Sequence, residues 1–289
     1  MSGHPAGRVC ARFLTEVSFL ERIDAISAWF EETLLDEWQP WINEPRQNIR
    51  VDVVGLFPTK GGQDVSYSSE RLHRFMADVR RSRYHLFSLT VSEIAEQSRF
   101  NRPGIAKLTV EIEELQDPEL PNSIEAQAAV DVLVGSGGGM DVLVASLTEP
   151  ARLLGEGSGA IYFLEAGGPH DPFDWAAPDL ESRSLVAQSN RWLQGVFWGN
   201  LLGPQHLAAL GGIDRVLADQ PAPICKPLDG PDGPLAYLQA SDRLETCTLG
   251  ELETLHRYLA PVLPHSYRDK ALATEVMSRQ VEDIRQAFA

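Results

Sequence analysis

The stretch Arg191-Trp192-Leu193-Gln194-Gly195-Val196-Phe197-Trp198-Gly199-Asn200-Leu201-Leu202-Gly203-Pro204-Gln205-His206-Leu207-Ala208-Ala209-Leu210-Gly211-Gly212 joins bulky apolar anchors to strict punctuation. Proline at the first helical position forfeits no hydrogen bond, so Gly203-Pro204 opens a short helix that ends at Leu210. Gly211-Gly212 closes it, because glycine accepts the left-handed conformation of a C-cap. Leu201, Leu202, Leu207 and Leu210 are therefore core candidates, and the whole stretch reads as scaffold rather than as catalytic chemistry.

Upstream, residues 184–196 read as a helix, residues 167–178 as a Pro-, Gly- and aromatic-rich loop, and residues 159–164 as a strand. Downstream, residues 222–228 and 235–240 flank Asp229-Gly230-Pro231-Asp232-Gly233-Pro234, a dense turn signal, and pair as a hairpin. Thr248 with Glu251 makes a capping box, and Leu252, Leu255 and Leu259 line one face of the helix that follows. Pro261 and Pro264 stop that helix, and a last one runs from about 267 to 288 with Leu272, Val276, Met277, Val281, Ile284 and Phe288 on its apolar stripe.

In the N-terminal part, residues 7–17 read as a strand, and Ser18 with Glu21 starts a helix carrying Phe19, Ile23, Ile26, Phe30 and Leu34 on one side. A strand at 49–57 precedes a helix with Leu72, Phe75, Met76 and Val79 inside, and a strand follows at 84–90. Residues 107–113 alternate apolar and polar, so Glu111 and Glu113 share the polar side of a strand. Asp-Val-Leu-Val occurs twice, within 128–134 and at 141–144, around a glycine-rich loop, and reads as two strands. The resulting class is α+β, with mixed or antiparallel sheets covered by helices. It divides into two β-α-β-rich halves, 1–115 and 116–289, or forms one continuous domain.

Charge and motif content narrow the functions. The 25 basic against 41 acidic residues leave a net charge of −16, which opposes sequence-independent nucleic-acid binding and favours a basic partner. Cys10, Cys225 and Cys247 are too few and scattered for a disulfide framework and read as buried thiols. No His-Glu-x-x-His, tight Cys/His spacing, Gly-x-Ser-x-Gly or Gly-Lys-Ser/Thr occurs, so no metal, cofactor, nucleotide or catalytic residue is expected. His170 reads as a turn residue. The absence of a long apolar run and of a signal-peptide pattern places the expected protein in the cytoplasm.

The order of Gly159-Ala160-Ile161-Tyr162-Phe163, a long loop, an apolar helix and Leu201-Leu202-Gly203-Pro204-x-x-Leu207-x-x-Leu210-Gly211-Gly212 resembles the type VI secretion immunity families. The subset it resembles lies beside restriction-endonuclease-like toxins, and the resemblance covers about residues 147–263. It implies an antitoxin that is not an enzyme and that binds and neutralises a cognate effector, with a nuclease as the expected target. No direct nucleic-acid or membrane partner is implied. The residues themselves supply the expected contact surface as clustered acids: Glu111, Glu113, Glu114, Asp117 and Glu119, and Asp171, Asp174, Asp179 and Glu181, with Trp175 as an apolar anchor. Two alternatives stay open: an enzyme whose site is assembled from residues distant in sequence, and an effector-loading adaptor or chaperone.

Overall fold

The computed structural model describes residues 7–29, 49–55, 63–66, 86–93, 108–115, 122–130, 133, 139–164 and 188–288. Their strands are β1 (Arg8–Thr15), β2 (Ile49–Gly55), β3 (Gln63–Ser66), β4 (Leu86–Glu93), β5 (Leu108–Leu115), β6 (Asn122–Ala129), β7 (Ser158–Leu164), β8 (Gly199–Leu202), β9 (Ile224–Gly230) and β10 (Gly233–Gln239). They form one ten-stranded sheet in the order β3-β2-β4-β5-β6-β1-β7-β8-β10-β9. Every neighbouring pair is antiparallel, so the α+β class stands with an antiparallel sheet. β1 lies between β6 and β7, which makes the sheet continuous from the first strand to the last hairpin.

Alternation along β1 explains the layering. Val9, Ala11 and Phe13 are buried in register with Ala128, Ala126 and Ile124 of β6 and with Phe163, Ile161 and Gly159 of β7. On that apolar face lie α1 (Ile23–Ala28), which follows a 3-10 turn at Phe19–Arg22, and α2 (Gly139–Leu154). Leu143, Leu147, Ala151 and Leu154 of α2 recur at helical spacing and are all essentially inaccessible. α2 reaches β1, β6, β7, β8 and β9 and so ties the two ends of the chain together.

The second Asp-Val-Leu-Val segment, residues 141–144, is thus the first turn and a half of α2, not a strand. Four residues of alternation fit either element, and the apolar spacing beyond Val144 decides for the helix. The first segment is β-structured only as far as Ala129, with helical geometry already at Val130. The described part of 184–196 is also not a helix. Residues 188–191 form a turn in which the Arg191 and Trp192 amides donate to the Gln188 carbonyl at 2.9 and 2.8 Å. The chain then runs extended over the sheet, where Leu193 N–H donates to the Val262 carbonyl and Phe197 packs on Tyr162 with ring centroids 5.6 Å apart. Tertiary partners satisfy this backbone in place of helical ones.

The remaining C-terminal expectations that fall on described residues hold, while the loop at 167–178 with His170 lies outside them. α3 (Pro204–Ala209) and α4 (Ile213–Asp219) follow β8, β9 and β10 form the hairpin, and α5 (Leu249–Leu259) and α6 (Lys270–Phe288) pack on each other. α5 starts on the Thr248 and Glu251 capping box, with Glu251 Oε2 accepting from Thr248 N at 2.8 Å. Leu201, Leu202, Leu207 and Leu210 are buried, as are Cys10 and Cys247; Cys225 is half-buried. Phe30, Leu34 and the helix expected around residues 71–83 lie outside the described residues.

Candidate protein-interaction face

β5 carries three of the expected contact acids, and the sheet register sorts them. Glu111 stands opposite Thr90 of β4 and Glu125 of β6, and Glu113 opposite Ser88 and Ser123. Glu114 has Phe87 as its partner and belongs to the other face, the one that holds Val110 and Ile112. By register Glu114 therefore alternates with Glu111 and Glu113 along β5. Asp117, Glu119, Asp171, Asp174, Trp175, Asp179 and Glu181 lie outside the described residues.

Two register rows through β5 are mostly polar across six strands. One register row runs Asp64, Asp52, Thr90, Glu111, Glu125, Arg12. The next runs Ser66, Arg50, Ser92, Thr109, Gln127, Cys10. Beyond β1 the first row turns apolar except for Asn200, continuing through Ala160, Asn200, Leu238 and Cys225. A sheet face with this composition gains little from an apolar cover and is suited to polar contact.

Where the row reaches β6 and β1, its charges are organised. Arg12 Nε lies 3.4 Å from Glu125 Oε2, with both side chains partly covered. Gln127 donates to Glu125 Oε1, and Arg8 Nη1 donates to Gln127 Oε1 at 2.9 Å. The acidic expectation overlooked this arginine partner. Its signal was present in the alternation of Arg8, Cys10 and Arg12 with Val9, Ala11 and Phe13.

Burial in the scaffold that carries these strands favours the neutral forms of His206, Cys247, Tyr237 and Tyr267. His206 is inaccessible, and burial pushes its pKa down to about 4, a small part of the shift being offset by the Trp192 carbonyl. Nε2 meets no partner at regular hydrogen-bond geometry, whereas Nδ1 accepts from the Gly203 amide at 3.1 Å. His206 thereby takes the place a glutamate holds in a capping box. A Cβ on Gly203 would sit 2.3 Å from the Gly157 carbonyl oxygen, so the residue before Pro204 has no room for a side chain. At the other end of α3, Gly212 N donates to Leu207 O and Gly211 N to Ala208 O, a Schellman closure with Gly211 at φ +96°. Burial also pushes the Cys247 thiol up to about 11 and raises the Tyr237 and Tyr267 phenols.

Among the described residues no group of three or more His, Cys, Asp and Glu side chains is placed to hold a metal. No helix of the described residues is long and apolar enough to cross a membrane.

The molecule is thus an antiparallel α+β protein with α2 against one face of its sheet, while the register rows of the other are mostly polar from β3 to β1 and mostly apolar beyond. No protein-family model matches the chain, and no curated protein sequence matches it. Among solved structures, it shares its fold with a type VI secretion system protein of Pseudomonas aeruginosa, with a TM-score of 0.58 and 15% identity. The match covers 96% of this chain and 83% of that one.

Proposed function

We propose that this chain is an immunity protein that binds a type VI secretion effector and neutralises it by protein–protein contact, without enzymatic activity of its own. The observation that carries the reading is the fold shared with a type VI secretion system protein over nearly the whole chain. The net charge of −16 and the row through Asp52, Glu111 and Glu125 support a basic target. A nuclease fits that description, because it must present cationic residues to phosphates. An acidic inhibitor meets such a surface with a fast, salt-sensitive on-rate.

The test is co-expression in a heterologous bacterium with the toxin candidate encoded beside this gene. Restored growth together with co-purification of a stoichiometric complex is the expected result. Co-purification without restored growth would replace the immunity reading with that of an effector-loading adaptor. Absence of both would overturn the proposal.

A further inference from the structure

Against the acidic background, one surface has the opposite character. The guanidinium carbons of Arg191 and Arg268 lie over the indole of Trp192, 4.9 and 5.4 Å from the ring centroid. Both arginines are exposed and the indole is half-buried. Among the described residues Arg12, Arg152, Arg215 and Arg243 each pair with a carboxylate, while Arg191 and Arg268 pair with none.

The platform is held from below. Arg268 donates from Nε to the Leu263 carbonyl at 3.0 Å and from Nη2 to the Pro261 carbonyl at 3.1 Å. The Trp192 turn is tied to the same segment, because Leu193 N–H donates to the Val262 carbonyl at 2.9 Å. Val262 and Leu263 are core residues, so both parts of the platform rest on one fixed turn. Arginine and tryptophan held this way lose little freedom on binding, which is the property of interface anchors.

We infer that Arg191, Trp192 and Arg268 form a docking surface for a short acidic segment of a partner protein. The Arg191 guanidinium presents forked N–H donors that match a carboxylate, Arg268 adds the N–H groups not held by the Leu263 and Pro261 carbonyls, and the indole packs against the aliphatic part of an acidic side chain. Two cations over the ring use its electron-rich face and leave no demand for a third. The overall field of −16 disfavours a long polyanion such as a nucleic-acid duplex, whereas a short acidic segment sits within about one Debye length, 8–10 Å, of the two arginines. The assignment does not depend on the partner being an effector.

The test is calorimetric titration at low ionic strength with three probes: a Glu-rich peptide carrying one Phe, its Lys-for-Glu counterpart, and a DNA duplex. Wild-type protein is expected to bind the Glu-rich peptide. Arg191→Gln, which removes a side chain that touches the fold through the Trp192 ring, is expected to weaken binding roughly tenfold. Arg191→Gln with Arg268→Gln is expected to abolish it and to leave binding of the Lys peptide unchanged. Thermal melts establish that each variant is folded, and the single variant carries the test if the double variant is not. Failure of the wild type to bind the Glu-rich peptide, or equal binding by wild type and a folded variant, would overturn the assignment. So would duplex binding that is lost in the same variants, which would give the surface to nucleic acid.

Discussion

Acidification is expected to unfold this protein in part through one imidazole. His206 is inaccessible, its Nδ1 accepts from Gly203, and burial lowers its pKa from 6.5 to about 4. Above pH 6.5 both folded and unfolded states carry it neutral. As pH falls from 6.5 towards 4, the unfolded chain takes up a proton that the folded state refuses, so stability drops; below 4 this contribution levels off. At 1.36 kcal/mol per unit the whole shift corresponds to roughly 3 kcal/mol. The sequence pI is near 4.8, so solubility sets the practical window. Going from about pH 7 to about pH 5.5 is expected to remove about 1 kcal/mol through His206 alone. Urea unfolding followed by circular dichroism at both pH values measures the loss. His206→Asn supplies the control, since its amide oxygen can still accept from Gly203 and does not titrate. Other groups change with pH equally in both proteins and cancel in the difference. The variant is expected to be less stable at pH 7 and to lose about 1 kcal/mol less on acidification. Parallel losses in the two proteins would refute the claim that the fold holds this imidazole neutral.

Leu201→Ala or Leu202→Ala is expected to cost about 2–5 kcal/mol in urea unfolding, because both side chains are fully buried in β8. Gly203→Ala is expected to cost about 1–3 kcal/mol, since its Cβ would overlap the Gly157 carbonyl; unchanged stability would mean that the β7 approach is looser than described. Charge reversal at Glu111 and Glu113 together is expected to slow association with a basic effector in stopped-flow measurements, and added salt to slow the wild type in the same direction. Reversal at Glu114, on the opposite face, is expected to leave that rate unchanged if the protein stays folded. Ala substitution of Arg12 is expected to change stability by only about 0–1 kcal/mol, because the pair with Glu125 is partly solvated.

Much of the C-terminal part was legible in the order of its residues. Gly203-Pro204 and Gly211-Gly212 bracket α3, Thr248 and Glu251 start α5, and the Asp-Gly-Pro repeats turn the β9–β10 hairpin. These signals are local: each rests on the backbone geometry of one residue or on a hydrogen bond spanning three, and needs no distant partner. The period-two alternation of β5 likewise placed Glu111 and Glu113 on one side. It did not separate them correctly from Glu114, whose place on the opposite face follows from the register with β4.

What the tertiary structure alone decided has a common cause. Residues 141–144 carry too few positions to choose between alternation and helical spacing, and the choice falls to burial against β1, β6 and β9. Residues 188–196 have helical composition, but 188–191 close as a turn, Leu193 N–H goes to the Val262 carbonyl and Phe197 just beyond packs on Tyr162, so no helix continues. Arg12 meets Glu125 across 113 positions of sequence, and Trp192 meets Arg268 across 76. Pairings of that separation depend on loop closure and on the order of strands, neither of which is encoded in any local pattern.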